Sequence, residues 1–372
     1  MEQPLAGMSV CNLSALNLSK FVDKKTHEVD FEKLAEATWI AIRLQDNIID
    51  ATPYFLDENE AQAMGERRIG LGVMGLADML IYANKRYGSE EGNELLNKVF
   101  ETIAVESYRA SIELAKEKGS FGFMDENPAG ISTEEVRERF INTGYTKTMP
   151  ERIKQDILKY GIRNSHTTTI APTGSTGSMV NVSTGLEPYF AFKYYRSGRL
   201  GSFMEVNSPI VQEYLSRHSD ASEDNLPDFF VTAMELSPEE HVSVQNTIQR
   251  WVDSSISKTV NMPRGSTPDE VAEVYIKLYN GGAKGGTVYV DGSRDTQVLS
   301  LAAEDNKSFD EDIDINKEEL TEEEPQIDTM TDKKRVGTEV GDTCPVCRNG
   351  HVIDSGGCNT CDNCGAQLTC GL

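Results

Sequence analysis

The sequence ends in a cysteine-rich stretch whose spacing is typical of a metal site. Six of the seven cysteines lie in the last 29 of the 372 residues. Two Cys-x-x-Cys pairs, separated by 13 residues, supply four candidate ligands: Cys344, Cys347, Cys361 and Cys364. Four thiolates suit tetrahedral zinc, and so small a module has too little hydrophobic core to fold without a bound metal or disulfides. We predict zinc at these cysteines; a metal-free redox tail, or His351 in place of one ligand, are the alternatives.

Two tail cysteines, Cys358 and Cys370, are left over because zinc takes four ligands. A free pair of thiols can form and break a disulfide. We therefore expect Cys358 and Cys370 to be redox-active, which is compatible with zinc at the other four.

A small-residue turn follows the β-rich sequence at residues 167–171. The candidate phosphate-binding residues are Ala171, Pro172, Thr173, Gly174, Ser175 and Thr176. Such a turn exposes consecutive backbone N–H groups, and its hydroxyls add further donors. It is not a Walker motif, because no lysine follows. The alternative is an ordinary connection from a strand to a helix.

A glycine pattern at Gly70, Gly72 and Gly75 imitates a dinucleotide-binding fingerprint. We reject that interpretation because no clear strand precedes the pattern, and glycine patterns alone are unspecific. Close packing at the start of a helix is the simpler prediction.

Two residues near the beginning, Glu2 and Cys11, stand apart from any local motif. By residue type alone, Cys11 is expected to be a structural core residue and Glu2 a solvated side chain.

The composition argues against some classes of function. The net charge of −24 disfavours binding to nucleic acid. No continuous apolar stretch reaches the roughly 18 residues of a membrane span, and no signal peptide opens the chain. We therefore expect a cytoplasmic protein that does not bind membranes.

Helices and strands alternate through the first 300 residues. Helices are predicted after Asp30, at about 90–118, and after the capping sequences SPEE and TPDE, which begin at Ser237 and Thr267. Strands are predicted around Cys11, at 167–171 and at 286–290. This alternation indicates a parallel α/β sheet or barrel at 1–301. An acidic, disordered linker at 302–342 and the cysteine-rich tail at 343–372 complete the predicted domains.

The order of these motifs resembles the large catalytic subunit of ribonucleotide reductase, most closely its adenosylcobalamin-dependent class II branch. The resemblance rests on EQPLAGMSVCNLSALNLSKFV, RRIGLGVMGLAD, TIAPTGSTGSMVNVSTGLEPYF, SISKTVNMP, GGAKGGTVYVDGSR and the cysteine tail. It implies that the chain is the second half of a ten-stranded α/β barrel. It also implies an enzyme that converts ribonucleoside diphosphates to deoxyribonucleoside diphosphates by thiyl-radical chemistry.

The resemblance also assigns roles to residues. Glu2 matches the glutamate of an Asn-x-Cys-x-Glu loop, whose radical cysteine and asparagine would precede this chain. Cys11 matches one of the two thiols that supply the reducing electrons, and its partner would lie in the missing N-terminal half. The turn Ala171–Thr176 matches the segment that holds the substrate's phosphates, while Cys358 and Cys370 would reduce the spent disulfide.

The implied partners follow from these roles. They are the N-terminal half and a thioredoxin-like or glutaredoxin-like reductant; a second copy, in a homodimer, is a further candidate that the sequence leaves open. The single tyrosine of GGTVYVDGSR, Tyr289, replaces the adjacent tyrosine pair of class I and favours adenosylcobalamin, although Val290 stands where an arginine is expected. The alternatives are a class I large-subunit fragment, or an inactive remnant acting as a zinc-ribbon regulatory protein.

Overall fold

The computed structural model describes residues 2–125, 130–198, 201–293, 299–300, 340–355 and 358–370. The chain divides into two compact units, Met1–Asp312 and Ile313–Leu372. The predicted acidic linker at 302–342 lies outside the described residues except at its last three positions. The domain boundaries given above therefore stay predictions.

The first unit contains eleven described α-helices, three short 3₁₀ helices and seven described strands. The strands are β1 Leu13–Asn17, β2 Gly70–Met74, β3 Lys193–Gly198, β4 Gly201–Asn207, β5 Thr259–Met262, β6 Thr287–Val290 and β7 Leu299–Ser300. The α-helices are α1 Phe31–Ala51, α2 Asp57–Glu66, α3 Leu76–Tyr82, α4 Glu90–Lys118, α5 Gly122–Asp125, α6 Thr133–Ile141, α7 Glu151–Tyr160, α8 Gly174–Met179, α9 Pro209–Arg217, α10 Pro238–Gln249 and α11 Pro268–Asn280. Short 3₁₀ helices span Leu18–Phe21, Thr146–Thr148 and Glu223–Asn225. No described helix is long and apolar enough to cross a membrane.

Parallel pairing organises the centre of this unit. β1 pairs with β2 in parallel, with Leu13 opposite Gly70. Parallel bridges then join Leu71 to Thr168 and Ile170 to Ile256, and β5 pairs in parallel with β6. Because residue 256 leads into β5, five parallel segments follow one another across the sheet. They form no closed barrel within the described residues, and the outer strands β1 and β6 have no further ladder partner there.

The helix signals in the sequence are confirmed. Asp30 caps α1 by accepting the Lys33 N–H at 2.9 Å. α4 ends at Lys118 before Gly119, as its terminal lysines and glycine predict. Both α10 and α11 begin with capping boxes, from Ser237 and Thr267.

The main core lies where α1 and α4 pack over the parallel segments. Its members are fully or almost fully buried aliphatic residues, among them Leu18, Leu34, Ile42, Leu71, Val73, Leu96, Val99, Ile157 and Ile170. A separate antiparallel sheet of three strands has the order β4–β3–β7.

The glycine pattern is predicted to pack at the start of a helix. This prediction is wrong for its first two glycines, because they belong to a strand. Gly70 and Gly72 lie in β2, every residue of which is buried. Only Gly75 caps a helix, α3, with a φ of 71°. Glycine is unfavourable in a strand unless a neighbour comes very close. That is the case here, because a Cβ on Gly72 would lie 2.6 Å from the Thr169 carbonyl oxygen.

Two of the three predicted strands need correction, whereas β6 is confirmed. β1 begins at Leu13 and excludes Cys11, because a turn joins Ala6 to Ser9 and Met8 has a φ of 64°. Residues 167–171 form isolated bridges rather than a continuous ladder. One cause is Asp253, whose carboxylate accepts the N–H groups of Thr167 and Thr168 at 2.7 and 2.9 Å.

The second unit contains a small antiparallel sheet. Its strands are β8 Val352–Ser355, β9 Cys358–Cys361 and β10 Gln367–Cys370, in the order β10–β9–β8.

The contact at Gly72 predicts the effect of a methyl group there. Gly72→Ala should lower the free energy of unfolding of the first unit by about 1–3 kcal/mol, because the neighbouring backbone must move. Urea unfolding followed by tryptophan fluorescence measures this change. Gly144→Ala is the matched control, since a Cβ there meets nothing within 4 Å; its effect should stay within about 0.5 kcal/mol. Equal stabilities of the two variants would contradict the packing described for β2.

Candidate functional site

The residues around Glu2 lie across three of the parallel segments. The Glu2 carbonyl oxygen accepts the Ser255 N–H at 2.8 Å and also the Thr169 hydroxyl. Gln3 is buried and donates its side-chain amide to the Ile69 carbonyl oxygen at 3.4 Å. A Cβ on Gly70 would lie 3.1 Å from Gln3 Nε2, so glycine leaves room for this side chain. The Glu2 backbone is therefore fixed to the middle of the sheet, while its side chain stays partly exposed.

Cys11 is exposed, which contradicts the interpretation of it as a buried structural cysteine. It lines a cleft of about 540 Å³ beside β1, together with Tyr54, Glu66 and Arg68. Desolvation and the negative charge of Glu2 raise the pKa of the Cys11 thiol, and Arg68 opposes them. Glu2 and Cys11 are therefore close enough to interact electrostatically, although nine positions separate them in the sequence.

The predicted phosphate turn forms a tight connection that presents donors to solvent. Thr173 has a φ of 51°, and α8 begins at the next residue. Gly174, Ser175 and Thr176 are exposed, and within the described residues their N–H groups have no backbone acceptor. A hydrogen bond from a later residue stabilises the turn: the Gly185 N–H donates to the Thr173 hydroxyl at 2.7 Å. This arrangement matches the sequence-based prediction of a donor-rich turn.

The structure brings some of these elements together and keeps others apart. The turn follows Ile170 at the carboxyl end of its segment, and the Glu2 backbone contacts Thr169 just before it. Cys11 precedes β1, so it lies toward the opposite end of the parallel segments. Glu2 thus lies between the two.

Four tail cysteines form one group. The sulfur atoms of Cys344, Cys347, Cys361 and Cys364 all lie within 4.8 Å of one another. The Sγ–Sγ distances are 3.9 Å for Cys344–Cys364 and 3.6 Å for Cys347–Cys361. A tetrahedral ion with bonds of about 2.3 Å requires sulfur atoms about 3.8 Å apart, so the group fits zinc. Among the described residues, His351 does not belong to this group.

Backbone amides support the same group. The Gly350 N–H points at Cys347 Sγ from 3.4 Å, and the Cys364 N–H points at Cys361 Sγ from the same distance. Hydrogen bonds from the backbone of Asn349 and Gly350 lower the pKa of Cys347 to about 6. Such bonds favour the thiolate form that binds a metal.

The remaining two cysteines occupy facing positions in the tail sheet. β9 and β10 are antiparallel, and their register places Cys358 opposite Cys370. Directly opposite residues in such a pair have Cα atoms about 4.5–5.5 Å apart, within the range that a disulfide spans. The backbone therefore permits the predicted redox pair.

Two of the buried charged residues, Asp253 and Lys258, contact the parallel segments and are not among the candidate residues that the sequence predicts. Asp253 is bound to the N–H groups of the 167–168 segment, as described above. Lys258 is fully buried and pairs with Glu187 at 2.7 Å. The sequence contains one sign of such a pair: Lys258 is a charged residue inside a strand-like stretch at 255–262. A charged residue that is buried there must have a buried partner. Nothing in the sequence identifies that partner.

Comparison with known proteins identifies the family of the chain. The family model of the ribonucleotide reductase barrel domain matches residues 2–289, which include the Glu2 segment, the donor-rich turn and the parallel segments up to Tyr289 in β6. The chain belongs to this family.

Relatives extend the comparison. A vitamin B12-dependent ribonucleoside-diphosphate reductase of Thermoplasma acidophilum is 37% identical over 330 residues, which are 83% of this chain and 39% of that protein. A protein of the same description from Mycobacterium tuberculosis is 32% identical over 320 residues, 81% of this chain and 41% of that protein. A ribonucleoside-diphosphate reductase large chain of Neurospora crassa is 29% identical over 303 residues, 76% of this chain and 32% of that protein. The chain thus spans about two fifths of the length of the B12-dependent relatives.

The electrostatic coupling of Glu2 and Cys11 predicts that two substitutions change the pKa of the Cys11 thiol in opposite directions. Glu2→Gln removes a negative charge, so the pKa of Cys11 falls, more thiolate is present at pH 8 and alkylation becomes faster. Arg68→Gln removes a positive charge, so the pKa rises and alkylation becomes slower. Partly solvated pairs of this kind change the rate by about two- to fivefold. Peptide-resolved mass spectrometry after brief iodoacetamide treatment measures Cys11 separately from the tail cysteines, which serve as internal controls. A change in the same direction in both variants would refute the coupling.

Proposed function

We propose that this chain is the C-terminal part of a ribonucleotide reductase that converts ribonucleoside diphosphates to deoxyribonucleoside diphosphates. The observation that carries the proposal is the position of Glu2, fixed to the sheet beside the strand that leads into the donor-rich turn, within the matched barrel domain. The B12-dependent relatives favour adenosylcobalamin as the cofactor. When bound, this cofactor supplies a radical through its cobalt–carbon bond. The lone tyrosine at Tyr289 fits such a source, because a class I path needs two adjacent tyrosines.

The turn Ala171–Thr176 binds the diphosphate in this proposal. Gly174, Ser175 and Thr176 are exposed residues whose N–H groups have no backbone acceptor within the described residues, and the last two add hydroxyl donors. Backbone amides suit phosphate oxygens because they are fixed donors that cost no side-chain ordering. A nucleotide held there extends its ribose toward Glu2.

Glu2 and Cys11 then perform separate steps. The Glu2 carboxylate accepts the proton of the ribose 3′-hydroxyl after a thiyl radical has removed the 3′ hydrogen atom. The 2′-hydroxyl leaves as water. Cys11 and a thiol of the other barrel half supply two electrons and two protons, and become a disulfide. The reaction balances as ribonucleotide and two thiols giving deoxyribonucleotide, disulfide and water.

The open sheet supports the need for a complementary half. Within the described residues, neither β1 nor β6 has a partner on its outer side. α1 presents an exposed apolar stripe at Ile40, Leu44 and Ile48, and Phe55 near its end is 84% exposed. Unpaired edges and contiguous apolar surface are normally covered. We propose that the N-terminal half of the barrel covers them.

The tail returns reducing equivalents in this scheme. Zinc at the four grouped cysteines holds the small sheet together, and the facing Cys358 and Cys370 exchange with the spent active-site disulfide. A thioredoxin-like or glutaredoxin-like protein then reduces the tail. The acidic composition of residues 302–342 suits a tether between the barrel half and the tail.

Reconstitution tests the function. The chain should form no deoxyribonucleotide by itself, but it should do so with an N-terminal half ending in Asn-x-Cys, adenosylcobalamin, a ribonucleoside diphosphate and a dithiol. Glu2→Gln should lower turnover about 100-fold or more, because the proton acceptor is lost while its shape is kept. Cys11→Ser should block turnover because a hydroxyl cannot form the disulfide. Glu28→Gln, at an exposed glutamate outside the site, is the control.

The outcomes of this assay are distinct. Product formation by this chain alone, or full turnover with Cys11→Ser, would contradict the assigned site. Activity without adenosylcobalamin but with a radical-generating second subunit would instead identify a class I enzyme.

The metal content of the tail gives a second test. The purified chain should contain about one zinc ion per molecule, measured by inductively coupled plasma mass spectrometry. Cys344→Ser should abolish binding because it removes a buried ligand, and Cys358→Ser, the matched control, should keep the zinc. A folded tail without metal, seen as dispersed NMR signals, would refute the zinc site.

A further inference from the structure

Lys258 is a buried charge with no part in the chemistry proposed above. It is 1% exposed, and its ammonium group donates to Glu187 Oε2 at 2.7 Å and to the Thr259 carbonyl oxygen. Its Nζ also lies 3.0 Å from His241 Nδ1. Burial and the nearby lysine lower the pKa of His241 to about 3, so the ring is neutral and Nδ1 accepts. Three acceptors therefore satisfy the three ammonium hydrogens and fix their direction.

Glu187 lies at the end of the chain segment that contains the donor-rich turn. Its other oxygen, Oε1, accepts the Thr259 N–H at 2.7 Å. Immediately before it, the Leu186 carbonyl oxygen accepts the Tyr87 hydroxyl at 2.8 Å. One residue earlier still, Gly185 donates to the Thr173 hydroxyl inside the turn. The position of Glu187 is thus transmitted to Thr173 through two neighbouring backbone positions.

The same strand also holds the beginning of the turn. The Ile170 N–H donates to the Ser255 carbonyl oxygen at 3.1 Å, and the Ser257 N–H donates to the Ile170 carbonyl oxygen at 2.8 Å. Ile170 directly precedes Ala171. Residues 255–259 therefore contact both ends of the segment that carries the turn: the entry through their backbone and the exit through the Lys258 side chain.

A buried ion pair is a poor source of stability, because the loss of hydration offsets the attraction between its charges. Its directed hydrogen bonds can, however, fix one geometry where apolar contacts would permit several. We propose that Lys258 is a positioning residue that holds the turn Ala171–Thr176, through Glu187, in the geometry that binds a diphosphate group. This inference rests on the phosphate site of the proposed function.

The affinity of the whole chain for inorganic diphosphate, measured by titration calorimetry, tests this role. Lys258→Met should weaken binding at least about tenfold, because the donors of the turn are then no longer held in advance in the geometry that binds diphosphate. Amide hydrogen exchange in residues 173–187 should become faster. Glu187→Gln, which keeps the shape of the side chain, should change both measurements in the same direction and covers the case in which Lys258→Met does not fold.

Arg67→Met is the matched control. Arg67 is also a buried cation, 4% exposed and paired with Asp46 at 2.8 Å, but it lies just before β2. Its loss should lower the unfolding temperature while diphosphate affinity and exchange in residues 173–187 stay within twofold of wild type. An equal loss of affinity in Arg67→Met and Lys258→Met would overturn the positioning role in favour of general destabilisation.

Gly174→Val separates the two proposals, because a Cβ at Gly174 meets nothing within 4 Å and should not disturb the fold. If wild type binds diphosphate and Gly174→Val does not, the phosphate site stands. Unchanged binding by Lys258→Met and Glu187→Gln would then overturn the role of Lys258 alone. No binding by wild type would overturn both proposals.

Discussion

The close approach of three backbone segments at β2 is the constraint on which the candidate site depends. Gly70 and Gly72 leave no side chain on the strand where Thr169 and Gln3 come near, and a Cβ at either position would overlap Thr169. Because the segments meet there, the Glu2 carbonyl oxygen reaches both Thr169 and Ser255. A larger residue in β2 would separate the sheet from the segment that carries Glu2. The glycines that imitate a dinucleotide motif thus serve packing.

Buried charges fix the two ends of the neighbouring segments. At the amino end, the Asp253 carboxylate accepts the N–H groups of Thr167 and Thr168. At the carboxyl end, Lys258 donates to Glu187, beyond the donor-rich turn. Each buried charge has partners for its hydrogen bonds, which offsets much of the cost of removing it from water. The residues between 253 and 258 therefore align the strand that leads to the turn as well as the loop that leaves it.

The sequence predicts features whose physical causes are local. The caps of α1, α10 and α11 can be predicted because an N-cap and its partner lie three residues apart. The group of tail cysteines can be predicted because a metal site of this kind has closely spaced ligands. The strand at β2 and the exposure of Cys11 depend instead on distant partners. Propensity argues against a glycine strand, and close neighbours that are distant in the sequence, Thr169 and Gln3 among them, explain it. Likewise, Lys258 can be expected to have a buried partner, but the fold alone determines that the partner is Glu187.

One group of exposed apolar residues in the first unit lies on the segment that carries Cys11. Leu5, Met8 and Val10 are exposed apolar residues just before it, and Leu13 at the start of β1 is 41% exposed. The outer edge of β1 has no ladder partner in the described part of the chain. A partner that pairs with this edge would remove the same apolar side chains from water, at about 25 cal/mol for each Å² buried. It would also enclose Cys11, whose thiol has to meet a second thiol in the function proposed above. Completion of the sheet and assembly of the reducing pair would then be a single event, since both require a strand beside β1.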